Sequence, residues 1–384
     1  MSTTAAQGFR ASGVAAGLKS TGRPDVALVV NDGPHFRAAG VFTSNRVQAA
    51  PVRWSRAVIA SGAPVRAVVL NSGGANACTG PEGDADTAAT AAAVGDAIGV
   101  PAEQVAVCST GLIGVRLPME RILGGVTAAA GSLSADGGDA AAVAIMTTDT
   151  VPKTAVRRGA GYTVGGMAKG AGMLAPGLAT MLVVITTDAD VEAADLDAAL
   201  RSATARSFDR IDSDGCMSTN DTVLLLANGA SGVTPSPSEF AALVEEVCAE
   251  LALKLIGDAE GATKDVRIHV SAAASEADAI EVARAIARSN LLKCAIHGED
   301  PNWGRVLSSI GTTAAAFEPD EIDVAMNGVW VCRDGQAGDP RDLVDMSGRQ
   351  VTITVSLRAG DAEATLWTND LTPMYVHENS AYSS

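Results

Sequence analysis

Short apolar runs bounded by glycine-rich turns alternate with helical-period segments along nearly the whole chain. Runs rich in Val, Ile and Leu predict strands at 26–30, 65–70, 105–108, 181–186, 222–227, 266–272, 322–326 and 351–357. Helical spacing predicts helices at 84–98, 119–129, 196–207, 239–255 and 277–289. The clearest is 239–255, where Phe240, Leu243, Val247, Leu251 and Leu255 recur at helical spacing. Strands and helices interleave loosely, which points to a layered α/β or α+β domain. The stretch GASGVTPSPS at 229–238 reads as a surface loop. Residues 170–187 carry no charge and approach the ~20 residues that span a bilayer. Three glycines and Pro176 break that run, so its first half reads as loop and 181–185 as a buried strand.

Composition narrows the classes. The 384 residues are 47% hydrophobic and 19% charged, enough apolar content for a sizeable core. Lys plus Arg is 28 against 44 Asp plus Glu, a net charge of −16 with no basic run, which disfavours nucleic acid as a partner. The six cysteines include no CxxC pair, the four histidines are scattered, and no HExxH occurs, so a cofactor metal has little support. The start MSTTAAQGFRASG lacks a charged segment followed by an apolar one, so no secretory signal is expected. Reduced cysteines in a cytoplasmic protein without a membrane anchor are the simplest expectation.

Several polar clusters sit where chemistry would need them. TMLVVITTD begins a strand with Thr180 directly after the Gly/Pro loop GAGMLAPGLA. A threonine is ordinary at a strand start. Its hydroxyl also has the chemistry to attack the carbonyl of Ala179, and an N-terminal Thr freed that way carries nucleophile and base together. VCSTGLIG at 107–114 enters a turn with Thr110 and Gly111, a hydroxyl and a backbone N–H that suit an oxyanion hole or an ordinary strand-to-helix turn. NSGGANACTG at 71–80 lacks both the GKS/T of a phosphate loop and the GxGxxG spacing. GGMAKG places Lys169 among small residues, MTTDTVPK packs hydroxyls around Asp149, and GDAEGATK carries Glu260. In HGEDPNWGR, His297 with Glu299 reads equally as acid–base chemistry or as loop stabilisation.

In order, GVFTSNRVQAAPV, NSGGANACTG, STGLIG, MTTDTVPK, GGMAKGAGMLAPGLATML, RSFDRIDSDGCMSTND, EGATK, EDPNWGR and the tail YVHENSAYSS resemble the ornithine acetyltransferase family, the glutamate N-acetyltransferases of arginine biosynthesis. The resemblance covers nearly the whole chain. It implies an α+β fold, an αββα sandwich similar to N-terminal-nucleophile hydrolases but differently connected. It implies self-cleavage between Ala179 and Thr180 into residues 1–179 and 180–384, with Thr180 the nucleophile and Thr110 and Gly111 the oxyanion pair. Thr147, Lys169, Thr180, Glu260, Asn379 and Ser384 match the family's substrate contacts, with Thr148 beside Thr147 the alternative. The implied reaction is ping-pong acetyl transfer from N2-acetylornithine to glutamate by an α2β2 heterotetramer, with no cofactor or metal implied and acetyl-CoA only as an alternative acetyl donor. An aminopeptidase or amidase on the same fold is the enzymatic rival.

Overall fold

The computed structural model describes residues 2–175 and 181–381. The chain packs into two compact units, Met1–Asp209 with Cys216–Asp258, and Arg210–Gly215 with Ala259–Ser383.

The first unit holds two sheets. Strands β1 (Phe9–Val14), β2 (Val26–Asn31), β4 (Ala67–Ser72) and β5 (Val105–Thr110) pair in that order, with β4 and β5 parallel. The second sheet runs β3 (Arg37–Phe42), β9 (Thr222–Ala227), β8 (Leu182–Thr187), β7 (Thr163–Lys169) and β6 (Lys153–Arg158), with β8 and β9 parallel. Successive side chains of a strand point to opposite faces. Ala27, Val29, Val68, Leu70, Ala106 and Cys108 of one sheet therefore meet Met167, Leu182, Val184, Leu224 and Leu226 of the other in one buried cluster.

The alternate residues Val26, Leu28, Val30, Val69, Val105 and Val107 pack outward on Ala91, Val94, Val126 and Ala129, from helices α2 (Gly80–Ile98) and α3 (Met119–Gly131). On the outer face of the second sheet, α6 (Pro237–Gly257) crosses β6 and β7 while α5 (Ala193–Arg206) packs on β3. The layers are thus helix, sheet, sheet, helix, the αββα arrangement expected. Two further helices, α1 (Ala50–Ala60) and α4 (Gly138–Ala144), supply Val58, Ala141, Ala142 and Ala144 to the inter-sheet cluster. Truncating one of the large core side chains to Ala removes about 2–5 kcal/mol of stability.

Helix α6 begins at Pro237 because Ser236 caps it. Its side chain accepts the Glu239 N–H at 3.4 Å, and Glu239 Oε2 accepts the Ser236 N–H at 3.3 Å. On this helix Val244 is buried where the sequence pattern expects Leu243.

The chain departs most from expectation at β7, which reads as a cluster of small residues but is a buried strand. A Cβ at Gly165 would sit 2.3 Å from the Ser2 carbonyl oxygen, so close packing of the N-terminal segment requires glycine and hides the strand signal.

The second unit is built on a six-stranded sheet, β13 (Gln336–Ala337), β12 (Val329–Arg333), β11 (Asp323–Met326), β14 (Gln350–Ser356), β10 (Asp265–Ala273) and β15 (Ala362–Asn369). Helices α7 (Glu276–Ala287), α8 (Asn290–His297) and α9 (Trp303–Ile310) contribute Val282, Ile286, Leu292 and Val306 to its core, and α10 (Pro373–Ala381) follows. Among the described residues no helix is long and apolar enough to cross a membrane.

Candidate active site

Strands β4 and β5 run parallel and end together, so their following turns lie side by side. Thr110, the last residue of β5, is buried, and its carbonyl accepts the N–H groups of Gly73 at 2.9 Å and Gly74 at 3.0 Å. These bonds clamp the two turns together at Gly111. Gly111 has φ +132°, and a Cβ there would lie 2.6 Å from the Gly74 nitrogen, so only glycine fits. Among the described residues no acceptor takes the Gly111 N–H.

Lys169 ends β7 and is 1% exposed. Its Nζ donates to Thr110 Oγ1 at 3.2 Å. A hydroxyl has one hydrogen and two lone pairs. With a lone pair taken by an ammonium, Thr110 O–H points its hydrogen elsewhere and becomes a better donor. Thr110 Oγ and Gly111 N–H are consecutive groups suited to one developing oxyanion. The β7–β8 register sets Lys169 opposite Leu182, the second residue after Thr180.

Asp149 organises the surrounding loops. Its Oδ2 accepts the Thr147 N–H at 2.9 Å and the Thr147 hydroxyl at 3.4 Å. Its Oδ1 accepts Lys153 Nζ at 2.5 Å and the Gly170 N–H at 2.7 Å. Lys153, fully buried, also donates to Asp258 Oδ2 at 2.5 Å. One carboxylate therefore fixes both Thr147 and the residue after Lys169. Burial pushes the Asp149 carboxyl up, but the charges of Lys169 and Lys153, with hydrogen bonds from Lys153 and Gly170, outweigh it and hold the group at about 2. Burial lowers the Lys19 ammonium to about 8 against the opposing charge of Asp25, with the charges of Arg23 and Lys169 adding to the fall.

In the second unit, Asn379 on α10 donates through Nδ2 to Glu260 Oε2 at 3.0 Å. Gly261 makes this possible: at φ +64°, a Cβ there would lie 2.4 Å from the Tyr375 nitrogen and push α10 away. His297 Nδ1 lies 2.9 Å from Asp370 Oδ2, while Glu299 takes Lys264 Nζ at 2.8 Å. The pairing of His297 with Glu299 is thus replaced by two separate contacts, and these tie loops together. Burial raises the Asp370 carboxyl, but hydrogen bonds from Thr263, Lys264 and His297 prevail and hold it below the ordinary value.

The structure joins Thr110, Gly111 and Lys169, sets Thr147 on the Asp149 hub of the same unit, and joins Glu260 to Asn379 in the second unit. Ala179, Thr180 and Ser384 lie outside the described residues. Among the described residues no three His, Cys, Asp or Glu side chains gather as a metal site. Sequence reasoning misses the Asp149–Lys153–Asp258 hub and the buried Asp221. A weak signal for Asp221 is its place two residues before the unbroken apolar run 223–227, where a carboxylate has to be buried or to end the strand.

The ArgJ family profile matches residues 10–384. The arginine biosynthesis bifunctional protein ArgJ of Streptomyces coelicolor is 67% identical over 384 residues, all of both chains. The protein of the same name from Thermobifida fusca is 62% identical over 384 residues, again all of both. A solved structure of ornithine acetyltransferase complexed with ornithine, from Mycobacterium tuberculosis, matches at 56% identity over 47% of this chain and 96% of that one, with a TM-score of 0.45.

Proposed function

The chain belongs to the ArgJ family, and from that premise we propose that it is an acyltransferase of arginine biosynthesis that moves the acetyl group of N2-acetylornithine to glutamate. The observation that carries the reading is the buried Lys169–Thr110 contact beside Gly111, within a chain matched end to end by ArgJ proteins.

An unactivated amide needs a strong nucleophile and charge stabilisation at its oxygen. Thr180 cuts its own chain at Ala179, leaving residues 1–179 and 180–384, and its free α-amine, with an ordinary pKa of about 7.7–8.0, takes the hydroxyl proton. Its Oγ attacks the acetyl carbonyl, while Thr110 O–H and Gly111 N–H bind the developing O⁻. Ornithine leaves with the proton, acetyl-Thr180 remains, and the amine of glutamate collects the acetyl group. Donor and acceptor visit one acyl-enzyme in turn, so double-reciprocal plots are parallel. Glu260, held by Asn379, is the carboxylate suited to the ornithine ammonium. Thr147, Lys169 and the terminal Ser384 complete the substrate contacts. Lys169 supports the oxyanion donor and offers its charge to a substrate carboxylate.

The interleaving of β8 and β9 with β3, β6 and β7 supports two chains that stay together after the cut. An α2β2 assembly and a cytoplasmic setting belong to this proposal on the family resemblance alone. The names of the relatives contain the word bifunctional, which favours acetyl-CoA as a second acetyl donor to glutamate.

Purified protein given N2-acetylornithine and glutamate should form acetylglutamate and ornithine in equal amounts, and Thr180→Ala should form neither. Acetate release without acetylglutamate would replace transfer by hydrolysis, as in an amidase.

A further inference from the structure

In the parallel register of β4 and β5, Asn71 lies opposite Ser109 and Ser72 opposite Thr110. Asn71, Ser109 and Asn220 are each at most 5% exposed. Asn71 Oδ1 accepts the Ser109 hydroxyl at 2.5 Å, and Asn71 Nδ2 donates to the Gly74 carbonyl at 3.0 Å. Asn220, two residues before β9, donates through Nδ2 to the carbonyls of Ala75 at 2.6 Å and Ser109 at 2.8 Å. Its Oδ1 accepts the Thr219 hydroxyl at 2.6 Å, which sets the amide's orientation.

These bonds converge on one peptide unit. The N–H of Gly74, the residue that Asn71 holds, donates together with the Gly73 N–H to the Thr110 carbonyl. That carbonyl and the Gly111 N–H are the two ends of the same peptide. Two donors on a carbonyl draw electron density to its oxygen and make the N–H at the other end a stronger donor, by ~10–30% per bond. On the far side of the turn, the Ala75 N–H donates to the Leu112 carbonyl at 3.0 Å. The Gly111 N–H is thus fixed from both sides. An asparagine amide donates and accepts at once, so Asn71 holds the Ser109 hydroxyl and the Gly74 carbonyl together, which neither a carboxylate nor an aliphatic side chain does.

We propose that Asn71 is a positioning residue for the oxyanion donors: through Gly74 it aims and strengthens the Gly111 N–H, while Ser109 and Asn220 fix the turn on which it acts. The inference rests on the reading that Thr110 and Gly111 bind the acetyl oxygen. In that reading the oxygen becomes negative twice, once as ornithine leaves and once as glutamate arrives. A misaimed Gly111 N–H therefore slows both half-reactions by the same factor. A distorted pocket for one amino acid slows only that amino acid's half-reaction.

The test compares full-length wild type, Asn71→Ala, Ser109→Ala and Thr87→Val, with intact mass giving the concentration of cut chain. kcat/KM for N2-acetylornithine and for glutamate, each reporting its own half-reaction, is measured where thermal melting shows every protein folded. Thr87→Val is the stability control: Thr87 Oγ1 accepts Asn76 Nδ2 and donates to the Gly83 carbonyl in α2, and it shares none of the bonds above. Asn71→Ala should lower both constants together by ~10- to 100-fold, the effect of a displaced catalytic group. Ser109→Ala should lower both by a smaller shared factor, and Thr87→Val should lower the melting temperature alone. Unchanged constants in Asn71→Ala, or a fall in only one of them, overturn the proposal, as does an equal fall in Thr87→Val. Should Asn71→Ala not fold or not cut, Ser109→Ala decides by the same criterion. Thr110→Val measured alongside separates the two readings. If it loses activity and Asn71→Ala does not, only the positioning role falls; if it keeps the wild-type constants, the oxyanion reading falls and the proposal with it.

Discussion

Asp149→Asn tests whether one buried carboxylate holds the site loops. Asp149 bonds Lys153, Gly170 and Thr147, and its pKa is held at about 2 against an ordinary 3.8. Each tenfold change in proton affinity is worth ~1.4 kcal/mol, so ionised Asp149 contributes on the order of 2–3 kcal/mol to folding. The sign follows from proton binding. The unfolded carboxyl binds protons more readily, so this stability is fully present above the unfolded value and is lost as pH falls through the folded one. Asp149→Asn also leaves Lys153 buried with only Asp258. Removing one partner from a buried pair costs ~3–5 kcal/mol, and the remaining carboxylate sets the expectation at about 3 kcal/mol. Urea unfolding in the Thr180→Ala background keeps both proteins as single chains. The stability difference should be about 3 kcal/mol at pH 7 and should shrink by roughly 1–2 kcal/mol near pH 2.5, where wild-type Asp149 is beginning to gain a proton. A difference that is equal at both pH values, or under ~1 kcal/mol at pH 7, refutes the reasoning.

Thr110→Val removes the hydroxyl that Lys169 supports; kcat for acetyl transfer should fall ~10²–10³-fold, with Thr110→Ser recovering most of it. An unchanged kcat would place the oxyanion elsewhere. Gly111→Ala sets a methyl 2.6 Å from the Gly74 nitrogen and strains φ +132°, so it should abolish acetyl transfer and lower the melting temperature. Glu260→Gln removes the charge proposed for the ornithine ammonium, so KM for N2-acetylornithine should rise ~10-fold or more while KM for glutamate changes less. Equal changes in both constants would assign Glu260 a purely structural part.

Much of the layered fold is legible because both sheets are covered, so their strands are continuous apolar runs, as at 222–227, where the expected and observed limits coincide. β1, β3, β6 and β7 are harder to see. β7 is Gly-rich because the N-terminal segment packs against it, and β6 carries Lys153, whose burial depends on Asp149 four residues before it and on the remote Asp258. The same logic divides the site. Thr110, Gly111, Lys169 and Glu260 stand in short motifs, where the sequence offers them as candidates. The Asp149 hub and the hydrogen bond from the Met181 N–H to Asp221 join residues 4 to 105 positions apart, and only the sheet registers bring most of them together.

The most direct test of acetyl transfer through Thr180 is a single-turnover mass measurement. Wild-type protein is mixed with N2-acetylornithine without glutamate, quenched in acid, and its chains are weighed and mapped. The account predicts a chain beginning at Thr180 that carries one acetyl group on that residue, lost when glutamate is added as acetylglutamate appears. An uncut chain, or acetylglutamate formed with no acetylated chain on the way, would contradict it.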